Sequence, residues 1–306
     1  MGYHVCTLAL EIIIRGGKEM QERRKCFVRT LLLSGMVIAA LSGGTACGRQ
    51  GTENESLRQE EKKEETEKTG GKEAEKKAWD STYPQIQIET ELECHDSWQQ
   101  MVDKITKKYS TDRKGEVIFC GASNFARWEK LDAYLREYKV QNHAFGGSTD
   151  AELVGYSDQL LFPYEPAVVF FQTGSNDYGQ MEGTDQEKIE KCMAYKKQMF
   201  EAFHQQMPEA KFVIMSGLLL PGSRQYLDMT LEINRQLEQL AAEKEYLYFV
   251  DANAMTYDGA DFNTSLFEED GVHLNREGQK RWSQEYIKPA LERVIEENGL
   301  DSVRRK

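Results

Sequence analysis

From Trp79 to the end of the chain, short apolar runs alternate with longer segments that mix apolar and polar residues. Such runs predict β-strands, here at 116–120, 140–145, 167–171, 211–215 and 246–250. The third run is apolar throughout, as expected for a strand that is buried on both faces. The mixed segments predict helices, at 96–108, 127–138, 149–161, 185–206, 223–244 and 275–297. Because strands and helices alternate, we predict an α/β fold with three α/β/α layers and a central parallel sheet of about five strands.

The first part of the chain has the pattern of a secretory signal segment. Basic side chains at Arg23, Arg24, Lys25 and Arg29 precede an apolar run at 31–41, and small residues then lead to a cysteine. The run is too short for a comfortable membrane span. Met20 stands three positions before Arg23, the first of these basic residues. Residues 1–19 therefore either belong to the protein or result from the choice of start codon.

The end of this segment, Gly44-Thr45-Ala46-Cys47, resembles a bacterial lipobox, in which the cysteine is lipid-modified and becomes the new N-terminus. Gly44 stands where such motifs usually have leucine. The alternative is an ordinary signal-peptidase site with an incidental cysteine. We expect residues 1–47 to form the signal peptide, with Cys47 as the lipid attachment site.

Residues 48–78 are dominated by Glu, Lys, Gln, Gly, Ser and Thr. A segment with so few apolar residues cannot bury enough surface to offset its ordering entropy, so we predict a disordered charged linker. We expect the folded domain to occupy residues 79–306. A lipid on Cys47 followed by this linker would tether the domain to the outer face of the cell membrane.

The chain is acidic. Residues 1–46 contain 6 of the 39 basic and 3 of the 51 acidic side chains, which leaves 33 against 48 and a net charge of −15 from Cys47 onward. This charge disfavours binding to nucleic acid and electrostatic adhesion to anionic lipid, so any membrane link is expected to be covalent. Cys94, Cys120 and Cys192 lack metal-binding or CxxC spacing, and they predict neither a metal site nor a disulfide framework.

Four polar or glycine-rich motifs follow the predicted strands. They are Gly121-Ala122-Ser123-Asn124, Phe145-Gly146-Gly147-Ser148-Thr149, Gly174-Ser175-Asn176-Asp177 and Asp270-Gly271-Val272-His273. Ligands of parallel sheets bind beyond the carboxyl ends of the strands, where these motifs are expected to lie. An aspartate three residues before a histidine can hold the imidazole, and a serine after a strand can complete the charge arrangement of a serine hydrolase.

In order and spacing, the four motifs resemble those of the SGNH hydrolases, also called the GDSL esterase/lipase family, over residues 115–295. The resemblance implies a flavodoxin-like fold and a mechanism that requires no metal and no cofactor. It implies that Ser123 is the nucleophile, His273 the general base and Asp270 its orienting partner. Ala122 departs from the aspartate in the family name, which is not the family's catalytic acid.

The resemblance also implies an oxyanion hole, the set of N–H donors that stabilises negative charge on the substrate oxygen. Its donors would be the backbone N–H groups of Ser123 and Gly147 and the side-chain amide of Asn176. Gly146 is the alternative to Gly147. Asp177 is expected to brace the loop rather than to take part in the chemistry.

These observations lead us to expect a secreted, tethered serine esterase that hydrolyses O-acyl esters, above all O-acetyl esters, on a carbohydrate or cell-envelope polymer. The tether, the acidic surface and the lack of a long apolar lid motivate this expectation. The alternatives are a lipase or lysophospholipase, an envelope acyltransferase that uses the same residues, and a binding lipoprotein that has lost catalysis. Phe125, Trp128 and Tyr178 lie near the motifs and serve either a pocket or packing.

Overall fold

Five parallel strands form the central sheet in the part of the chain that the computed structural model describes, residues 82–92 and 94–306. The strands are β1 (Val117–Gly121), β2 (Val140–Asn142), β3 (Val168–Gln172), β4 (Lys211–Met215) and β5 (Leu247–Val250). Their spatial order is β2-β1-β3-β4-β5, and every neighbouring pair is parallel. This is the flavodoxin-like strand order, so the predicted fold class is confirmed.

Both faces of the sheet are covered with apolar side chains. Successive residues of a strand point to opposite faces, and in β1 Ile118 and Cys120 enter one core cluster while Val117 and Phe119 enter the other. Phe119 stacks on Phe170 of β3, with ring centroids 4.8 Å apart. Cys120 is therefore a small core residue between the sheet and one helical layer.

The α-helices pack on the two faces of this sheet. They are α1 (Gln99–Lys108), α2 (Ser123–Ala126), α3 (Leu131–Tyr134), α4 (Asp150–Gly155), α5 (Ser157–Leu160), α6 (Ser175–Gln180), α7 (Asp185–Gln206), α8 (Leu227–Ala242), α9 (Asn253–Thr256), α10 (Arg276–Trp282) and α11 (Lys288–Asn298). Short 3₁₀ segments occupy Asp96–Trp98, Phe162–Tyr164, Pro221–Tyr226, Thr264–Leu266 and Asp301–Val303. No helix of residues 82–92 and 94–306 has the length and apolar character needed to cross a membrane.

The helix predicted at 127–138 is wrong over most of its length, because only α3 forms there. Trp128 is buried and lies parallel to the ring of Trp282, with centroids 5.6 Å apart. Further along, Tyr138 forms an antiparallel bridge with Arg304 near the end of the chain. These tertiary contacts replace the regular helix that the local pattern predicts.

The helix predicted at 275–297 is interrupted by a π-helical turn at Ser283–Ile287. Pro289 lies in the first turn of the following helix, α11, and it has no amide hydrogen for an intrahelical bond. A wider turn just before a proline accommodates this missing donor.

Two other predicted helices are shorter than expected. The segment at 149–161 divides at Tyr156 into α4 and α5, and Thr149 caps α4 in a full capping box with Glu152. Gly155 ends α4, and the Cys94 side chain occupies the space that a Cβ would need there. The segment at 223–244 becomes α-helical only from Leu227, after the 3₁₀ turn that begins at Pro221.

The predictions for the signal segment, for Cys47 and for the linker at 48–78 fall on residues that lie outside the described part of the chain.

Candidate active site

Ser123 lies immediately beyond the carboxyl end of β1, at the first position of α2. The chain comes very close to β3 just before it, because a Cβ on Gly121 would overlap the carbonyl oxygen of Gln172. Only glycine permits this approach. The resulting sharp turn leaves Ser123 half-buried at the edge of the sheet where ligands of this fold bind.

Ser123, His273 and Asp270 form a continuous chain of hydrogen bonds. Nε2 of His273 lies 2.8 Å from Oγ of Ser123, and Nδ1 of His273 lies 2.6 Å from Oδ2 of Asp270. A neutral imidazole with its proton on Nδ1 donates to the carboxylate and presents Nε2 as an acceptor to the serine hydroxyl. This is the arrangement in which a histidine can remove the serine proton.

The carboxylate of Asp270 is fixed by its own turn. Oδ1 accepts hydrogen bonds from the backbone N–H groups of Val272 at 2.8 Å and His273 at 2.9 Å. The bond from the His273 ring, followed by these two backbone bonds, holds the pKa of Asp270 well below its usual range. Asp270 therefore stays ionised beside the imidazole although 43% of its side chain is exposed.

Asn124 joins the loop of His273 to the turn of Ser123. Its Oδ1 accepts from the Leu274 N–H at 3.0 Å, and its Nδ2 donates to the Val272 carbonyl at 3.4 Å. These two bonds flank His273, while Asn124 itself directly follows Ser123. The sequence alone indicates no role for Asn124, since its partner Leu274 is 150 positions away and no local pattern reveals such a contact.

The loop after β2 brings both candidate glycines close to Ser123. A Cβ on Gly146 would lie 3.7 Å from Cβ of Ser123. Gly147 has φ = +87°, a backbone conformation that side chains disfavour, and a Cβ there would lie 3.0 Å from the ring of Trp98. The Ser148 hydroxyl donates to the Gly121 carbonyl at 3.1 Å and so ties this loop to the end of β1. Gly147 remains the candidate donor and Gly146 its alternative.

Asn176 approaches the same loop from α6, which follows β3. Its Nδ2 donates to the Ser148 carbonyl at 2.8 Å. This bond uses one of the two amide hydrogens, and the other can donate to a substrate oxygen. Asp177 is buried, and its Oδ1 accepts from the Asp150 N–H at 3.0 Å, so it braces the loop as predicted.

A buried lysine lies beneath this loop. Nζ of Lys196 is 2.7 Å from Oδ2 of Asp150, and both side chains are 2% exposed. It also donates to Oγ1 of Thr173 at 2.7 Å. Burial, with the nearby charge of Asp150 as the second cause, raises the pKa of Asp177 well above its usual range. The sequence does not single out Lys196, because a lysine within a long amphipathic helix is expected to be exposed to solvent.

The aromatic side chains near the motifs serve packing. Phe125, Trp128 and Tyr178 are all at most 2% exposed and lie in the core. Of the two alternatives for these residues, the structure therefore supports packing over a pocket.

An open cleft of about 460 Å³ lies beside His273. It is lined by Arg127, Glu268, Glu269, Asp270, His273, Leu274 and Gln279. Leu274 is the one apolar residue in this lining, so the surface next to the imidazole is polar and charged. A larger cavity of about 680 Å³ lies between α8 and β5, but none of the candidate site residues lines it. The chemistry therefore points to the smaller cleft.

Within residues 82–92 and 94–306, no three His, Cys, Asp or Glu side chains are grouped as ligands for a metal ion. Of the predicted site residues, the structure brings together Ser123, Asp270 and His273 through direct bonds. It places Gly147 and Asn176 in one loop cluster through Ser148. Cys47 lies outside the described residues.

Comparison with known proteins agrees with this fold. A structure from Bacteroides fragilis described as a putative acylhydrolase superposes with a TM-score of 0.52 at 17% identity. The match covers 65% of this chain and 95% of that protein. A GDSL-like lipase from Bacteroides thetaiotaomicron superposes with a TM-score of 0.50 at 17% identity, covering 65% of this chain and 97% of its own. No curated protein matches the sequence.

The family model of the GDSL-like lipase/acylhydrolases matches residues 93–281, which is more than half of the chain and includes all four motifs. The chain therefore belongs to the GDSL-like lipase/acylhydrolase family of SGNH hydrolases, and it is a carboxylic ester hydrolase.

Proposed function

We propose that this protein hydrolyses O-acyl esters, above all O-acetyl esters, on a carbohydrate or cell-envelope polymer, through an acyl-enzyme on Ser123. The observation that carries the proposal is the unbroken hydrogen-bond chain from the Ser123 hydroxyl through His273 to Asp270. A serine hydroxyl is a weak nucleophile until a base removes its proton during attack. The 2.8 Å distance between Nε2 of His273 and Oγ of Ser123 supports His273 as that base.

In the first step, Oγ of Ser123 attacks the ester carbonyl carbon while its proton passes to Nε2 of His273. The C–Oγ bond forms, and the carbonyl electron pair moves onto oxygen. Asp270 stabilises the imidazolium that results. The negative oxygen would be held by the backbone N–H groups of Ser123 and Gly147 and by the Asn176 amide.

The bond to the leaving alcohol then breaks, and His273 returns its proton to the alcohol oxygen. Water next attacks the acyl group on Ser123, again with His273 as base, and carboxylic acid leaves as Oγ regains its proton. A polymer hydroxyl in place of water would give acyl transfer, so transferase activity remains the alternative that uses the same groups.

The surroundings of His273 favour a hydroxyl-rich alcohol. Because the leaving oxygen must receive its proton from Nε2, the alcohol should occupy the cleft that His273 lines. Charged and amide side chains such as Arg127, Glu268 and Gln279 line that cleft. They can bond to sugar hydroxyls, whereas a lipase site is expected to present apolar surface.

The Ser123→Ala variant should lose on the order of 10⁶-fold in kcat, because no other group replaces the nucleophile. The assay measures nitrophenol release from p-nitrophenyl acetate, butyrate and octanoate, and acetate release from an O-acetylated polysaccharide, by the full chain. Ser265→Ala, at an exposed serine outside the site, is the matched control and should keep wild-type rates.

Each outcome separates one alternative. Turnover by Ser123→Ala equal to that of the wild type would refute the assignment of the nucleophile. A preference for octanoate over the acetylated polysaccharide would favour a lipase. Acetyl groups moved to an added oligosaccharide, in place of free acetate, would favour a transferase. Folded wild-type protein that turns over none of these esters would favour the binding lipoprotein.

A further inference from the structure

Trp98 stands directly against the loop of Gly147. A Cβ built on Gly147 would lie 3.0 Å from Cη2 and 3.1 Å from Cζ2 of the Trp98 ring, so the indole occupies the space beside that backbone. Trp98 ends the 3₁₀ segment that leads into α1. Trp98 precedes β1 in the chain and belongs to none of the four motifs.

The indole is fixed in this position. Its Nε1–H donates to Oε1 of Glu152, and its ring lies 5.6 Å from that of Phe145, centroid to centroid. Glu152 is buried and is itself held through Oε2, which accepts from the Thr149 N–H at 2.8 Å. The ring therefore cannot rotate away without breaking a hydrogen bond to a buried carboxylate.

Trp98 differs from the tryptophans that serve only the core. Trp128 and Trp282 are 2% and 0% exposed and stack on each other, whereas Trp98 remains only partly buried. A rigidly held and only partly buried aromatic residue thus stands next to the candidate oxyanion donor, and such a residue is suited to contact with a ligand.

The chemistry of the site decides which part of an ester would meet this ring. In the proposed mechanism, the alcohol oxygen would lie near Nε2 of His273 and the carbonyl oxygen would be bound by the oxyanion donors. The remaining substituent of the carbonyl carbon, the acyl chain, would then extend away from His273. Trp98, which lies against the Gly147 loop, is the aromatic side chain that it would meet there.

We propose that Trp98 closes the acyl side of the site and restricts the substrate to short acyl groups, acetyl before longer chains. The inference rests on the proposed function, since it requires Gly147 to face the substrate oxygen. It assigns the selection of the acyl group to Trp98 and that of the alcohol to the cleft beside His273.

The test compares kcat/KM for p-nitrophenyl acetate, butyrate and octanoate among full-length variants at position 98. Trp98→Ala should raise kcat/KM for octanoate relative to acetate by roughly tenfold or more, because the space of the indole becomes available to the chain. Trp98→Leu should shift the ratio in the same direction while keeping an apolar contact for folding. Trp98→Phe, which retains a ring, should change the ratio least.

Met101→Ala is the matched control, because Met101 is exposed on α1, just after Trp98. It should keep the wild-type preference. An unchanged octanoate-to-acetate ratio in both Trp98→Ala and Trp98→Leu, with acetate turnover retained, would overturn the inference and leave the proposed function intact. An equal loss on all three esters would also overturn it, because Trp98 would then only support the Gly147 loop. Absence of ester turnover by the wild type would overturn the proposed function and this inference together.

Discussion

Asp270 is held in place by hydrogen bonds rather than by burial. Three donors, the His273 ring and two backbone N–H groups of the same turn, meet on one carboxylate that is 43% exposed. Its lowered pKa contributes stability that is present above the unfolded value of about 3.9 and is lost as the pH falls through the folded value. Because its pKa is lowered, protonation of Asp270 is not expected to set the acid limb of the activity profile.

Replacing this carboxylate by an amide tests its role. Asp270→Asn should lower kcat by roughly 10⁴-fold with little change in KM, because an amide no longer selects the Nδ1–H tautomer or stabilises the imidazolium. The measurement is kcat and KM for p-nitrophenyl acetate across the pH range in which the wild type is active.

A second aspartate provides the control for this substitution. Asp258 also accepts two backbone N–H groups, from Ala260 and Asp261, in an exposed turn outside the candidate site. Asp258→Asn should keep wild-type kcat. Equal kcat in Asp270→Asn and the wild type would mean that His273 works without its carboxylate partner.

At the scale of elements, the sequence predicts best where a long periodic pattern meets no competing contact. The predicted bounds of α7 and β4 agree with the structure to the residue. The helix predicted at 127–138 is wrong because Trp128 and Tyr138 contact residues more than 150 positions away. The same limit applies to the site. The motifs contain Ser123, Asn124 and His273, but the bonds of Asn124 to the His273 loop and the position of Trp98 arise only from contacts between distant segments.

The helix α7 is joined to the loop after β3 by a buried charge cluster. One lysine, Lys196, faces two buried carboxyl groups, those of Asp150 and Asp177. Burial, and after it the charge of Asp150, raises the pKa of Asp177, which favours the neutral form of this carboxyl beside the Lys196–Asp150 pair. A carboxyl with a raised folded pKa favours the fold most below its unfolded value and loses that contribution as the pH rises through the folded one.

Lys196→Met should therefore lower the free energy of unfolding by about 3–5 kcal/mol at neutral pH, since Asp150 would be left buried without its cation. Urea denaturation of the two proteins at neutral pH measures this loss.

The same helix offers a control for this substitution. Lys191 pairs with Glu91 at 2.7 Å, but their side chains are 42% and 36% exposed. Lys191→Met should cost no more than about 1 kcal/mol. If Lys191→Met and Lys196→Met lowered the free energy of unfolding by similar amounts, burial would not be the reason for the effect of Lys196.

At the scale of the whole molecule, the acidic charge determines what kind of membrane anchor the protein would need. The net charge of −15 from Cys47 onward opposes adsorption to anionic lipid. If residues 48–78 form the charged linker that the sequence predicts, a chain of that length would span on the order of 30 Å. We propose that a lipid on Cys47 keeps the esterase at the outer face of the membrane while the domain reaches polymers nearby.

Cys47→Ser removes the one side chain of the lipobox-like sequence Gly44-Thr45-Ala46-Cys47 that can carry the lipid. In bacterial cells that process lipoproteins, the full-length wild type should sediment with membranes, whereas the Cys47→Ser variant should lose most of that association. Because Cys47 lies far along the chain from the site motifs, kcat for p-nitrophenyl acetate should stay at the wild-type value. The esterase activity of each fraction, after subtraction of the activity found with Ser123→Ala, then measures how much of the protein is in the membranes and how much is in the medium. An unchanged membrane share in Cys47→Ser would contradict lipidation and favour an uncleaved signal segment as the anchor, while wild-type activity in the medium alone would favour plain secretion.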